Sequence, residues 1–337
     1  MEKEKSKNYI SGLLVLFLMY AHVPAVLEMM NIPFYDSSAH ILYYPRFYFF
    51  NSIYLTCFFV LEGMYSSFGR PLKDQVINDL RKYILPCIVV GIIAVYIKNN
   101  DFNQSIFLDY IKQYFLLGPG DYYVIYMLFG TRLLYTLFLK IESQRIRFSV
   151  LIAMSLFGCL VNNHINGSYR FWEQAFVLLP FLEVGAYCKD IVERNNWKIS
   201  TLLIYVFMCL ALYMLCMNLP YIHDGGRLSI KLWPLYLIMG SIGSIMLISL
   251  CKNLSNKLVE FVGENMISYI LVHVIILILL IRTFNPYIKG CLESFTECTL
   301  MVTLLFLAAM LFSTLVAILF KYTFLKRLFI YTQQENE

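Results

Sequence analysis

The sequence predicts an all-α fold: a polytopic transmembrane helical bundle of about ten spans, both termini cytoplasmic, forming a single domain over residues 1–337. Three observations predict it. The chain is 59% hydrophobic and only 15% charged, with a mean hydropathy of +0.65, whereas soluble domains average roughly 45 to 50% apolar and about 25% charged. Apolar runs recur along its whole length, most of them close to the roughly 20 residues that a bilayer crossing needs. Finally, the cations are unevenly divided between alternate connections.

The runs fall at 10–27, 49–67, 83–97, 122–139, 148–161, 175–187, 201–219, 232–250, 266–281 and 299–320. The first follows the basic flank MEKEKSK, carries no small-residue cleavage site and is long enough to span, so it reads as a retained helix and not as a signal peptide. The fifth and sixth are short, and the sixth contains Pro180 and Glu183. Periodicity does not arbitrate, because a helix buried in lipid and protein is apolar all round. Little chain is left for a soluble domain, and no internal repeat is visible.

Topology follows from the basic residues. The connections on the side of the N-terminus hold Lys3, Lys5, Lys7, Arg70, Lys73, Arg81, Lys82, Lys140, Arg145, Arg147, Lys189, Arg194, Lys198, Lys252, Lys257, Lys321, Lys326 and Arg327. The opposite set holds only Arg46, Lys98, Lys112, Arg170, Arg227, Lys231, Arg282 and Lys289. This bias puts both ends inside a cell membrane and accounts for the net charge of +5 through contact with anionic membrane lipids, with no nucleic acid invoked. Segment 104–117, with Asp109, Lys112 and Gln113 among apolar residues, reads as an interfacial helix on the outer face. Gly118, Pro119, Gly120 and Asp121 form a turn into the fourth span, with Asp121 a plausible N-cap. Cys57, Cys87, Cys159, Cys188, Cys209 and Cys216 lie in apolar runs without metal-ligand spacing and read as small buried hydrophobes. Cys291 and Cys298 flank an outer connection, where an oxidising compartment can pair them.

Ionisable residues at membrane depth are costly, so each one needs a partner or a function. His22, in VLFLMYAHVP, lies about two thirds along the first span. It suits proton transfer near neutral pH, and equally a packing histidine bonded to a carbonyl. His273, in ISYILVHVII, follows Tyr269 by one helical turn, so the two share a face as a second polar contact or an orienting pair. Glu62, in FFVLEGMY, sits near the inner end of the second span, within reach of Arg81 or Lys82 at the start of the third. Glu183 has a similar depth and the same requirement for an inner-loop cation. Arg132 is mid-span, cannot easily lose its proton, and needs a carboxylate, a carbonyl cluster or a water-filled cavity. Arg81 and Lys82 are explained either by the positive-inside bias or as a clamp for phosphates. Tyr122 and Tyr123 belong to an interface belt or to a pocket mouth. There is no Gly-rich phosphate loop, no GxSxG elbow, and no His-Glu-x-x-His zinc motif, so any chemistry has to arise from side chains facing one another across helices.

The order of these features resembles the integral membrane acyltransferases of acyltransferase family 3, in particular the sugar O-acetylase-like branch. YISGLLVLFLMYAHV is similar to that family's opening helix, which ends on a catalytic histidine, here His22. CFFVLEGMY is similar to its aromatic run before Ser-Gly-Tyr, and LRKYILPCIVVG to its basic opening of the third span, at Arg81 and Pro86. GDYYVIYMLFGTRLLY resembles a segment that usually carries an aromatic pair, and FVGENMISYILVHVII the late helix with glycine, tyrosine and histidine, at Gly263, Tyr269 and His273. Departures are Ser11 where a cation is usual, Glu62 where serine is usual, and tyrosines where the aromatic pair includes tryptophan.

The resemblance implies a membrane O-acyltransferase, most often an O-acetyltransferase, with acetyl-CoA or another acyl-CoA as donor and a surface polysaccharide or lipid-linked glycan as acceptor, and without a metal. It makes His22 the general base. Arg81 and Lys82 would hold donor phosphates, and Glu62, Tyr123, Arg132, Tyr269 and His273 would line or orient the pocket. The rival expectation is an exporter of polysaccharide or lipid-linked sugar, with Glu62 as a proton-coupling carboxylate.

Overall fold

The computed structural model describes residues 2–32, 40–66, 71–99, 123–164, 170–194, 233–292 and 294–322, together with Phe34, Phe68 and Leu108. Every regular element among them is helical. In chain order these are α1 (Glu2–Met29), α2 (His40–Tyr65), α3 (Leu72–Asp79), a π-helical turn (Leu80–Ile84), α4 (Leu85–Asn99), α5 (Tyr123–Phe138), α6 (Gln144–His164), α7 (Arg170–Arg194), α8 (Trp233–Cys251), α9 (Lys257–Glu264), α10 (Met266–Gly290) and α11 (Phe295–Tyr322).

Five of these helices are long and apolar enough to cross a membrane, over Glu4–Met29, Gln144–Val161, Trp233–Cys251, Met266–Gly290 and Phe295–Tyr322. Two shorter apolar helices accompany them, Ile53–Tyr65 and Val124–Phe138. The protein is therefore a helical membrane protein. The expected seventh span (201–219), the interfacial helix at 104–117 apart from Leu108, and the turn at 118–121 lie outside the described residues. The two short predicted spans are longer in the structure, 21 residues for α6 and 25 for α7. Their helices continue past the apolar runs into polar residues such as Gln144, Arg145 and Arg194 that a hydropathy reading leaves out.

Local chemistry explains several boundaries. Asn31 takes a left-handed conformation with φ of 58°. Ile32 N then donates to Leu27 O at 3.0 Å and Asn31 N to Glu28 O at 2.9 Å, the paired bonds that close a helix C-terminus. The π turn precedes Pro86, which has no N–H to donate to the Lys82 carbonyl and whose ring crowds it, so the helix widens there. Asn256 caps α9, its side chain accepting from Leu258 N at 3.0 Å and Val259 N at 3.3 Å.

Lipid tails are as apolar as leucine, so close packing, not water exclusion, has to hold helices together in a membrane. Two crossings meet that need with glycine. A Cβ on Gly12 would fall on the Val259 carbonyl, and one on Gly263 would fall on the Asn8 carbonyl, so α1 and α9 touch backbone to backbone. Likewise Gly63 faces the Leu182 carbonyl and Gly185 the Val60 carbonyl, which seats α2 directly on α7. Hydroxyls stitch other seams: Thr56 Oγ1 contacts Gly240 O at 3.3 Å and Ser244 Oγ at 3.1 Å, while Ser155 donates to Val177 O at 2.8 Å. Around this core one face of α11 turns outward, with Leu300, Leu304, Leu307 and Leu311 forming an exposed stripe at helical spacing, while Met301, Val302 and Leu305 face the core, as suits a lipid-facing helix. Cys57, Cys87 and Cys159 are buried as expected, Cys188 is only half-buried because it lies on the partly exposed late turns of α7, and Cys209 and Cys216 are not among the described residues. Cys291 and Cys298 are free thiols, not a disulfide.

These crossings give a direct expectation. Gly263→Leu should lower the thermal unfolding midpoint in detergent, by the roughly 1–3 kcal/mol typical of overpacking or more, because the obstacle is backbone. Gly290→Ala, where an added Cβ meets nothing within 4 Å, should leave the midpoint unchanged.

Candidate active site

His22 and His273 face each other across α1 and α10. His22 Nδ1 lies 2.7 Å from His273 Nε2, with the rings nearly parallel at 16° and 5.0 Å between centroids. His273 is completely buried and His22 is half-buried. The other ring nitrogen of His273, Nδ1, is 2.8 Å from the Tyr269 backbone carbonyl one turn earlier. The sequence spacing of Tyr269 and His273 is thus realised, although the tyrosine side chain goes elsewhere. Thr314 Oγ1 donates its proton to Met310 O at 2.7 Å. The 2.7 Å contact between Tyr269 Oη and Thr314 Oγ1 therefore has the tyrosine as donor. Its hydroxyl ties α10 to α11, and only its carbonyl serves the histidine pair.

A second polar centre joins α2, α3 and α5. Arg132 approaches Asp79 in a fork, Nε to Oδ2 at 2.9 Å and Nη2 to Oδ1 at 3.2 Å. Its Nη1 donates to Glu62 Oε1 and, at 2.9 Å, to Ser66 Oγ, and Ser66 donates in turn to Glu62. Gln75 Nε2 adds a bond to Asp79 Oδ2 at 2.7 Å. Phe68 and Tyr83 present ring faces to the guanidinium at 5.1 and 5.7 Å. The sequence paired Glu62 with Arg81 or Lys82; in the structure its partner is Arg132. The physical reason is the additional helix α3, which brings Asp79 to the guanidinium of Arg132 and leaves Arg81 exposed beyond it. The carboxylate that Arg132 required is supplied twice.

Glu183 finds a cation, Arg147, from the connection where the charge bias predicts one. Arg147 holds it in a fork of two 2.8 Å bonds, and Tyr135 Oη donates to it at 2.7 Å. Asp79, Gln75, Ser66, Tyr135 and Arg147 were not singled out from sequence as partners in these centres. The available signal was the Gln75–Asp79 spacing of four residues, a helical side-chain pair two residues ahead of Arg81.

Arg81 is exposed and Lys82 half-exposed, with the Lys82 ammonium 4.9 Å from the Tyr83 ring centroid. Burial lowers Lys82 from the ordinary lysine value, and the Asp79 carboxylate opposes that shift. Lys7, at the start of α1, lies within the field of Lys82 and Arg132. One end of the bundle therefore gathers Lys7, Lys82 and the Arg132 centre. His22 stands fifteen residues further along α1 than Lys7, about 22 Å at 1.5 Å per residue. Tyr123 opens α5, but its side chain is outside the description. No group of three or more potential metal ligands occurs among the described residues.

No protein-family model, curated protein or solved structure matches the chain.

The Arg132 centre has a measurable signature. Arg132→Met leaves two buried carboxylates without their cation and should destabilise the folded protein by about 3–5 kcal/mol, read as a large fall in the unfolding midpoint. Arg132→Lys should recover only part of the loss, because an ammonium cannot reproduce the fork to Asp79 together with the bond to Glu62.

Proposed function

We propose that the protein is an O-acyltransferase of the cell membrane that moves an acyl group, most simply acetyl, from a cytoplasmic acyl-CoA to a hydroxyl of a surface polysaccharide or lipid-linked glycan. The observation that carries this reading is the hydrogen-bonded pair of His22 and His273 inside the bundle, about 22 Å along α1 from a basic cluster near the start of that helix. The reading includes the about ten spans and the cytoplasmic termini expected from the charge bias, with Lys7, Arg81 and Lys82 on the donor side. It also agrees with the resemblance to acyltransferase family 3 at His22, Arg81, Tyr269 and His273.

The chemistry runs as one acyl transfer. His22 takes the proton of the acceptor hydroxyl, and the oxygen attacks the thioester carbonyl. The carbon–sulfur bond breaks, the acyl group stays on the sugar oxygen, and the proton on His22 passes to the leaving thiolate to give the free thiol of coenzyme A. Arg81 and Lys82, helped by Lys7, would hold the donor phosphates through charge-assisted hydrogen bonds. The long pantetheine arm then has to reach along α1 towards His22. Arg132 supports this by holding together the inner ends of α2, α3 and α5, and Tyr123 would meet substrate at the head of α5. The export reading relied on Glu62 as a mobile proton carrier. Its contacts with Arg132 and Ser66 suit a structural carboxylate better.

Purified protein in detergent or nanodiscs, given radiolabelled acetyl-CoA and candidate glycans, should transfer label. His22→Ala should reduce transfer to background while the protein remains folded in the membrane. Transfer at the normal rate by that variant would refute the mechanism. The double change Arg81→Ala with Lys82→Ala should raise KM for acetyl-CoA about tenfold or more, as expected for the loss of charged phosphate contacts, with a smaller effect on KM for the acceptor.

A further inference from the structure

For a helix in water, α3 is inside out. Gln75 and Asp79 are each 1% exposed, whereas Ile77 is 39% and Leu80 41% exposed, and Leu72 is exposed as well. A helix at a boundary with water does the opposite, hiding its aliphatic side chains and showing its polar ones. The buried polar side has its cause in Arg132, which Asp79 has to meet while Gln75 holds Asp79. The outward apolar side then needs a medium other than water.

The backbone points to that medium. From Leu72 to Asn99 the chain is helical without a break, through α3, the π turn and α4. That is about 42 Å at 1.5 Å per residue, close to the roughly 40–45 Å of a bilayer with its headgroup layers. Exposed apolar side chains continue along the same helix at Leu85, Ile93 and Tyr96, within the third of the apolar runs. With α4 in the hydrocarbon, α3 comes level with the headgroups. Lys73, Ile77, Leu80 and Arg81 are all exposed there, at steps of four, three and one residues that place them on one side of the helix. The strip thus has a cation at each end and two aliphatic side chains between. Neither cation is paired with a carboxylate among the described residues. Asp74 and Asn78 occupy the neighbouring side.

We propose that the exposed side of α3 is a binding surface for an anionic phospholipid, with the headgroup phosphate on Lys73 and Arg81 and the acyl chains on Ile77 and Leu80. Long basic side chains at this depth lay their stems on apolar surface and lift the charge to the headgroup. Anionic headgroups attract such cations, and neutral ones do not. Arg81 has five N–H donors, so it can meet a lipid phosphate and, in the acyltransferase reading, a donor phosphate with different ones. Lys73 belongs to the strip alone. Lipid on this side offsets the cost of the inverted helix that the Arg132 centre imposes.

Tryptophan quenching in nanodiscs tests the medium and the charge separately. The three native tryptophans give a background that the unsubstituted protein measures, and Ile77→Trp or Leu80→Trp adds one fluorophore to the strip. Both positions are exposed, and an unfolding midpoint equal to that of the unsubstituted protein establishes the fold of each variant. In phosphatidylcholine nanodiscs brominated on the acyl chains, the added fluorescence should be strongly quenched, while iodide in the buffer should leave it nearly unchanged. Quenching by iodide at both positions would overturn the proposal, as would protection from both agents, the result expected if another protein surface covers the strip. The charge is read by diluting brominated lipid into unbrominated phosphatidylcholine. Brominated phosphatidylglycerol should reach half of full quenching at an about fivefold lower lipid fraction than brominated phosphatidylcholine, the gain expected from one cation near a membrane surface. Lys73→Gln in the Ile77→Trp protein should remove most of that preference. Equal quenching by the two lipids would overturn the anionic assignment, and so would a preference that Lys73→Gln leaves intact. If the strip binds anionic lipid but the wild-type protein transfers no acyl group to any acceptor, the acyltransferase reading fails while the lipid surface stands.

Discussion

Arg132 sets the terms for one end of this protein. A guanidinium does not give up its proton and, in a helix packed against others, has no bulk water to turn to, so it has to be met by protein groups from several directions. Glu62 and Ser66 at the end of α2, Asp79 at the end of α3, and the faces of Phe68 and Tyr83 do so. They come from two stretches of chain, 62–68 and 79–83, and Asp79 is held in turn by Gln75. The placement of α3 and the π turn follows from that convergence. The Glu183, Arg147 and Tyr135 group answers the same need between α5, α6 and α7, with one guanidinium fork and one hydroxyl on a single carboxylate.

Glycine solves the complementary problem. Where polar groups fix the ends, backbone contact fixes the helix seams, because side chains of any size would hold α1 from α9 and α2 from α7. The histidine pair depends on both devices: α1 has to lie close enough to α10 for a 2.7 Å bond between rings that start on separate helices.

The helical membrane class was legible from composition and run length, since both report directly on the solvent. Nine of the expected runs coincide with described helices, and their limits differ where helices run on into polar ends, as at Gln144 and Arg194. The short elements α3 and α9 were not legible: eight residues each carry too little periodicity, and α9 announces itself only through the Asn256 cap. Individual polar residues were visible because an ion at membrane depth stands out, yet their partners were not. Glu62 meets Arg132, 70 positions later, and His22 meets His273, 251 positions later. Pairings of that kind come from tertiary packing, which no local spacing encodes. The pairing of Glu183 with a cation was accessible in kind, though not as Arg147.

The contact between α1 and α9 also bears on the depth of the histidine pair. Gly12 and His22 are ten residues apart on one rigid helix, about 15 Å. A clamp of backbone on backbone at Gly12 allows little sliding, so it fixes how far along the bundle His22 sits from α9. Bilayers of different thickness ask membrane helices to tilt or stretch, and the loosely packed outer helix α11 can answer that demand. The depth of the histidine pair would then be a property of the protein and not of the lipid around it, unchanged as the host membrane remodels.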